Sequence, residues 1–260
     1  MVMMLAGMGV SAQDAPPPSR GAGPKVVLVE LFTSEGCSSC PPADALLRQV
    51  HGMKTPAGQL IVGISEHVTY WNSLGWADPF SSPAYTERQN AYGASFGLDS
   101  VYTPQMVVNG REQFVGSDKG LLEKALRKEQ DQPEPVALRI LDTAISGSSL
   151  TVRFSATGDK ASAGADIMAV LADDADQSSV LRGENSGRNL PHVSVARSIS
   201  RVAKLQAAGE QTVQLPIPAS FNNGGGHHVI VFAQARGTGR VLGADTRALP
   251  DATVANRKTD

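Results

Sequence analysis

The chain has 260 residues, of which 41% are hydrophobic and 18% charged, and its formal net charge is −2. This composition can build a buried core, and a nearly neutral surface does not attract nucleic acid or anionic membranes. No apolar run approaches the roughly 18 residues that a membrane-spanning helix needs. We therefore expect a soluble protein of one or two domains, with no nucleic-acid partner and no membrane span.

The first 24 residues have the composition of a leader followed by a spacer. Met1–Val10 is apolar or small throughout, and Val10-Ser11-Ala12 offers the small residues that a signal peptidase requires. A positively charged start is missing, so we expect the true start to lie upstream; an unstructured tail is the alternative. Gln13–Pro24 is rich in proline and glycine, as spacers are. Residues 1–24 thus predict a periplasmic or secreted protein.

Residues 25–130 alternate short buried strands with amphipathic helices. Asn109-Gly110 between two apolar runs predicts a hairpin, and Ser82-Pro83 and Ser117-Asp118 are good helix starts. The predicted elements are, in chain order, strand Lys25–Phe32, helix Ala43–Val50, strand Leu60–Ser65, helix Ser82–Ser95, strands Gln105–Val108 and Arg111–Val115, and helix Ser117–Glu129. This order resembles the thioredoxin arrangement.

The second half of the chain has a different pattern of hydrophobic and polar residues. Asp131–Pro135 forms a linker with two prolines, and residues 136–250 contain short alternating strands separated by turn residues. Seven or eight such strands predict an antiparallel sandwich. The predicted fold class is therefore an α/β thioredoxin-like domain at 25–130, followed by an all-β sandwich-like domain at 136–250.

The two cysteines of the chain are Cys37 and Cys40, in the sequence Cys-Ser-Ser-Cys between a buried strand and a helix. Two cysteines are too few for a disulfide scaffold or a structural zinc site. A cysteine at a helix start has a lowered pKa, which favours Cys37 as the nucleophile and Cys40 as the resolving thiol. The alternatives are an inert local disulfide, which would stabilise the fold by roughly 2 kcal/mol, and a role in metal handling.

Two further features support redox chemistry. In thioredoxin-like proteins, whose order of elements this half resembles, a cis-proline faces the cysteine pair and leaves the backbone of the preceding residue free to bind substrate. The resemblance therefore implies a cis peptide bond at Thr103-Pro104, which precedes an apolar strand; an ordinary trans proline at a strand entry is the alternative. Thioredoxins usually carry a buried acid on the strand before the motif that moves protons to the resolving cysteine, and the resemblance implies that role for Glu30 toward Cys40. The alternative for Glu30 is a solvent-exposed position or an ion pair with Lys25 or an arginine.

Three more side chains are candidates near this site. His67 follows the second strand and should lie near Cys37, where two thiolates and a histidine could bind copper(I); a loop histidine that only forms hydrogen bonds is the alternative. Trp71 and Trp76 could form an apolar wall for a protein substrate or simply pack on the core. The polar loop Arg182–His192 suits docking onto the first domain, although a solvated loop explains it as well.

The motif around the cysteines resembles the signature of a secreted bacterial family that is known as a domain of unknown function and has a thioredoxin-like fold. The resemblance spans about residues 25 to 245, and the first motif is specific. Its residues are Val29–Asp44, His67, Trp71–Trp76, Pro79–Pro83, Tyr102–Gln105, Val107–Gly110 and Gly183–Asn185. The resemblance implies secretion but no substrate, and Ser-Ser in place of the usual Gly-Pro leaves redox potential and partner choice undetermined.

These observations lead to three hypotheses of function. The first is a periplasmic thiol–disulfide oxidoreductase that acts on protein thiols, with the Cys37–Cys40 disulfide as its redox group and no other cofactor. The second is a copper or cofactor-assembly chaperone that binds metal through Cys37, Cys40 and His67. The third is a non-catalytic thioredoxin-like interaction module.

Overall fold

The computed structural model describes residues 23–206, 209–219, 221 and 225–250. Of these residues, 45% are in strands and 19% in helices. The described α-helices are α1 (Pro41–Val50), α2 (Pro83–Phe96) and α3 (Lys119–Gln130). The described strands are β1 (Val26–Thr33), β2 (Leu60–His67), β3 (Gln105–Val108), β4 (Glu112–Val115), β5 (Val136–Ser146), β6 (Ser149–Gly158), β7 (Asp166–Ser179), β8 (Asn189–Lys204), β9 (Glu210–Pro216), β10 (His227–Gln234) and β11 (Val241–Ala248).

The first seven elements follow the predicted order. β1 pairs in parallel with β2, as expected for strands joined through a helix, and its other edge pairs antiparallel with β3. β3 and β4 form the predicted hairpin, with Val108 opposite Glu112. These pairings place the chain between β1 and α1, which holds both cysteines, at one end of the sheet.

The predicted fold class is wrong. An α/β domain followed by a separate sandwich would leave the sheet of the first half unconnected to the sheets of the second, but one mixed sheet of eight strands runs through both halves in the order β11-β10-β7-β8-β2-β1-β3-β4. The junction is the parallel contact of Ser65 in β2 with Val195 in β8. The remaining strands, β5, β6 and β9, form a second sheet. The chain is mostly β.

The physical reason for this difference lies at the edge of β2 that faces away from β1. That edge presents backbone groups that need partners, and β8 lies along it, but no local sequence pattern specifies which strand does so. Whether 25–130 and 136–250 fold as separate units stays a prediction. The predicted leader and spacer, residues 1–24, lie outside the described residues except for the last two.

The two halves also share a hydrophobic core. Leu28 and Ile64 of the first half pack in one cluster with Ile230 and Phe232 of the second. A second cluster between the two sheets contains only residues from beyond the linker. The interface between the halves is therefore a continuous apolar core, which holds the loops of the second half in fixed positions against the cysteine motif.

The helix starts agree with the predicted signals. The side chain of Ser82 accepts a hydrogen bond from the Ala84 N–H, and that of Asp118 from the Leu121 N–H. Pro41 and Pro42 occupy the first turn of α1, where no intrahelical acceptor is needed. In the part of the chain that the structure describes, no helix is long and apolar enough to cross a membrane.

Candidate functional site

The predicted cysteine pair forms a disulfide between Cys37 and Cys40, directly after β1. Helix α1 begins at Pro41, so Cys40 is its N-cap residue, and Cys37 lies in the preceding turn rather than at the helix start. The Cys40 N–H donates to the Cys37 carbonyl oxygen at 3.2 Å. Both cysteines have 0% of their surface exposed. The disulfide is thus local in sequence and buried in the folded chain.

The Thr103–Pro104 peptide bond is cis, as predicted. The next residue, Gln105, pairs with Phe32 near the end of β1, so the cis peptide lies beside the strand that leads to Cys37. The indole N–H of Trp71 donates to the Thr103 hydroxyl oxygen at 2.7 Å. This contact ties the aromatic loop to the cis-proline segment.

Both tryptophans are half-buried and use their indole nitrogens within the protein. Trp71 contacts Thr103, and Trp76 donates to the Glu35 carboxylate at 2.8 Å. The loop between them exposes Leu74. The tryptophans therefore anchor the loop to the site, and their role as a substrate wall stays a prediction.

Glu30 lies on the side of the sheet away from α1. Its carboxylate accepts hydrogen bonds from Arg88 Nε at 2.5 Å and from the Tyr92 hydroxyl at 2.6 Å, both in α2, whereas the neighbouring Leu31 packs with α1. Burial and the charge of Glu30 raise the pKa of the adjacent Glu66 well above its usual range. The Arg88 cluster, as we call it, consists of Glu30, Glu66, Arg88 and Tyr92. The structure therefore contains the ion pair between Glu30 and an arginine that the sequence analysis gave as an alternative.

His67 is buried and both of its ring nitrogens have partners. Nδ1 lies 2.7 Å from Asp78 Oδ2, and Nε2 lies 3.1 Å from the Ser65 hydroxyl. Burial lowers the pKa of His67, but the Asp78 carboxylate outweighs this and raises the pKa above its ordinary value. Among the described residues no group of His, Cys, Asp or Glu is arranged to hold a metal ion. Copper binding through His67 stays a prediction.

Four titratable residues of this site, namely Glu35, Asp44, Asp78 and His192, were not predicted from the sequence as site residues. Glu35 accepts hydrogen bonds from Trp76 and Ser178, and its Oε1 lies 3.1 Å from His192 Nε2. Asp44 follows Cys40 by one helical turn and is buried. The disulfide-side cluster, as we call it, consists of Glu35, Asp44, His67, Asp78 and His192.

One of these residues carries a signal that sequence reasoning could have used. Asp44 lies on the buried face of α1 with Ala43, Leu46 and Leu47, where an apolar residue is expected. A carboxyl group among these buried apolar side chains is unusual and marks Asp44 as a candidate functional residue. His192 has no such signal, because it comes from β8 and is 155 residues from Cys37 in the chain (192 − 37).

The polar loop of the second half docks onto the cysteine motif, as one of the two interpretations predicted. The Asn185 side-chain amide donates to the carbonyl oxygens of Glu35 and Cys37, both at 2.9 Å, and Glu184 accepts from the Ser38 N–H at 3.0 Å. Asn185 is fully buried. The loop therefore holds the backbone on either side of Cys37.

A family model described as Protein of unknown function (DUF1223) matches residues 28–234. The chain belongs to this family. The match confirms the expected membership in a family of unknown function, and it shows that the DUF1223 region includes strands from both halves of the chain. A search of curated proteins finds no match.

Two solved structures resemble this DUF1223 protein over most of its length. A structural-genomics protein of Agrobacterium tumefaciens is 29% identical, with a TM-score of 0.63 over 85% of this chain and 92% of that one. HBP35 of Porphyromonas gingivalis is 16% identical, with a TM-score of 0.65 over 88% of this chain and 77% of that one. The second similarity concerns the fold alone.

Proposed function

We propose that this protein is a thiol–disulfide oxidoreductase that works outside the cytoplasm on protein thiols. Cys37 and Cys40 are its redox group, and no other cofactor takes part. The observation that carries the proposal is the position of the disulfide between the end of β1 and the start of α1. The strand paired with the end of β1 follows the cis Thr103–Pro104 peptide, and two acids of the buried disulfide-side cluster, Glu35 and Asp44, flank the cysteine pair in the chain.

An energetic comparison favours this proposal over an inert staple. A disulfide that closes so short a loop stabilises the fold by roughly 2 kcal/mol. A buried polar atom without a hydrogen-bond partner costs about 1–3 kcal/mol, and His192 Nδ1, 3.9 Å from the buried Asp44 carboxylate, is such an atom among the described residues. A cost of that size offsets what so short a staple contributes, so a chemical role explains the arrangement better.

The surface beside the motif suits a protein substrate. Leu74 and Leu181 are 59% and 72% exposed. The loops that carry them meet where Gly183 packs against Trp76 and the Leu74 carbonyl. Exposed leucines next to a redox group can bind apolar side chains of a polypeptide, whereas a small polar thiol would not need them.

The proposed reaction passes through a mixed disulfide. When the pair acts as a reductant, the Cys37 thiolate attacks a substrate disulfide, forms a Cys37–substrate bond and releases one substrate thiolate. The Cys40 thiolate then attacks Cys37 Sγ, which closes the Cys37–Cys40 bond and releases the second substrate thiolate. Oxidation of a substrate dithiol is the reverse. The Ser39 hydroxyl, 3.3 Å from Cys37 Sγ, is placed to donate a hydrogen bond to that thiolate.

Two assays test the activity. We expect the wild type to reduce insulin or to oxidise reduced ribonuclease, Cys37→Ala to abolish both activities, and Cys40→Ala to accumulate a mixed disulfide that non-reducing gels detect. Ser38→Ala, an exposed change between the two cysteines, is the control and should stay active. A wild type inactive in both assays would contradict the proposal and favour a non-catalytic interaction module.

The extracytoplasmic location has its own support and test. Stable disulfides persist in oxidising compartments and are rare in the cytosol. Fractionation of the native host, with alkylation of free thiols before lysis, should recover the protein in the periplasm or medium. Recovery in the cytoplasm with both thiols alkylated would contradict this part of the proposal.

A further inference from the structure

Asp44 is placed to act on Cys40. It follows Cys40 by four residues, and its N–H donates to the Cys40 carbonyl oxygen at 3.1 Å, so the two residues are separated by one helical turn. Cys40 already has helical backbone angles, φ −78° and ψ −36°. Side chains four residues apart on a helix lie on the same face. The Asp44 carboxyl group is therefore the next side chain on the face that carries the Cys40 sulfur.

The Asp44 carboxyl group also lies close to a buried imidazole to which it is not hydrogen-bonded. Its side chain is only 5% exposed, and the Thr33 hydroxyl forms a side-chain hydrogen bond to it that lowers its pKa. His192 Nδ1, which has no hydrogen-bond partner among the described residues, lies 3.9 Å from Asp44 Oδ1. Most buried polar atoms in proteins have partners, so a carboxylate and an imidazole that face each other without a hydrogen bond call for an explanation.

The surroundings of Asp44 can take up and release protons. His192 bonds through Nε2 to Glu35, and its ring lies 4.7 Å from the ring of His67, which pairs with Asp78. The hydrogen bonds that Glu35 and Asp78 accept come from histidines, the Trp76 indole, a hydroxyl and backbone N–H groups, not from lysine or arginine. Burial raises the pKa of Asp44, although the nearby histidines oppose this effect.

We propose that Asp44 is the proton acceptor and donor for Cys40, and that His192 positions it. The inference rests on the proposed function, because it concerns the step that resolves the mixed disulfide. In that step the Cys40 thiol gives its proton to the Asp44 carboxylate. The resulting thiolate attacks Cys37 Sγ, the bond between Cys37 and the substrate breaks, and the substrate leaves with the electron pair as a thiolate. When the pair is reduced again, Asp44 returns the proton to Cys40.

A two-phase reaction with DTNB (5,5′-dithiobis-2-nitrobenzoate) separates this step from the first attack. The reduced protein, mixed with one equivalent of DTNB, releases a first thionitrobenzoate when Cys37 attacks and a second when Cys40 resolves the adduct. We expect Asp44→Asn to leave the first phase unchanged and to slow the second at least tenfold at pH 6–7, with the difference disappearing at alkaline pH. His192→Gln should shift the pH midpoint of the second phase.

A matched control and a second variant make the result decisive. Glu66→Gln changes another buried carboxyl group, on the α2 side of the sheet, and should leave both phases unchanged. If Asp44→Asn fails to fold, Asp44→Ala should give the same slow second phase. A second phase identical to wild type between pH 5 and 9 in the folded variant would overturn the inference.

The inference and the proposed function can fail separately. A wild type that shows both phases, with the second dependent on Asp44, but neither reduces insulin nor oxidises ribonuclease would keep the inference and refute the proposed function. Activity on proteins together with an unaffected second phase in Asp44→Asn would refute the inference and keep the proposed function. A reduced wild type that never releases the second equivalent would overturn both.

Discussion

Two clusters of buried carboxyl groups lie on opposite faces of β1 and β2, and they differ in the cation that balances them. Glu66 and His67 are neighbours in β2, yet Glu66 belongs to the Arg88 cluster and His67 to the disulfide-side cluster. Successive strand residues point to opposite faces, which separates the two sets of charges by the thickness of the sheet. One cluster is built around an arginine and the other around two histidines.

This difference sets what each cluster can do. Carboxylates around Arg88 hold its pKa above the ordinary value in spite of burial, so the charge of the guanidinium group is permanent. The proposed exchange of protons with Cys40 needs groups of the second kind, because an imidazole can gain or lose a proton at physiological pH and a guanidinium group cannot. The choice of cation thus agrees with a structural role for the first cluster and with the chemical role proposed for the second.

The largest effect is expected from breaking the Arg88 cluster. Arg88→Met would leave the Glu30 carboxylate buried without its cation and should lower the free energy of unfolding by about 3–5 kcal/mol. Urea denaturation of the oxidised protein at pH 7 measures the change. Glu66→Gln is the control: burial and the charge of Glu30 raise the pKa of Glu66 and so favour its neutral form, which an amide resembles, and the change should cost less than about 1 kcal/mol. An Arg88→Met variant as stable as wild type would show that this cluster has no structural role.

A change in the disulfide-side cluster should instead alter the pH dependence of stability. Asp78 raises the pKa of His67 and has its own pKa lowered. A raised histidine pKa contributes stability below its unfolded value of about 6.5, and this contribution is lost as pH rises through the folded value. Asp78→Asn should abolish that slope and cost about 2–3 kcal/mol at pH 6, where the charged pair is formed.

Urea titrations at intervals between pH 5 and 9 would measure this effect. Asp118→Asn is a suitable control, because Asp118 is an exposed helix cap that accepts from a backbone N–H and has no histidine partner. The slope should survive in the control. If wild type and Asp78→Asn had parallel profiles over the whole range, His67 would not be a charged member of the cluster.

The smallest effect on stability is expected at the loop that joins the two halves. Asn185→Ala removes two hydrogen bonds to the backbone around Cys37 and should lower the free energy of unfolding by about 2 kcal/mol. Because both cysteines are buried under the docked chain, we also expect dithiothreitol to reduce the disulfide several times faster. Asn189→Ala, at an exposed position, should change neither quantity. Unchanged reduction kinetics in Asn185→Ala would show that this loop does not limit access.

Local sequence patterns predicted the elements well. The continuous apolar run at the start of the fold became the central strand β1, buried over its whole length. Asn109-Gly110 formed the hairpin turn, with positive φ at both residues, and Thr103-Pro104 is cis. The strand and the turn are each decided by residues within a few positions of one another, whereas the cis bond was expected from the resemblance to thioredoxin-like proteins.

The pairing of β2 with β8 was not predictable in the same way. A strand pattern indicates that the backbone groups along a strand's edge need a neighbouring strand, but several strands of the second half could have supplied it. This pairing joined the two predicted folds into one sheet and brought Asn185 and His192 to the cysteine motif. Glu30 was misplaced because spacing along the chain did not show which face of β1 it occupies.

The amino-acid sequence by itself determined the position of the cysteine pair, the strand before it, the helix after it and the family to which the chain belongs. Only the tertiary structure decided which charged groups stand behind the disulfide. Those groups come from the segment between β1 and α1, from α1, β2 and the loop after β2, and from β8, and their proximity depends on strand pairing and on the face to which each side chain points. Long-range pairing follows from the total burial of apolar and polar groups, which no local segment encodes.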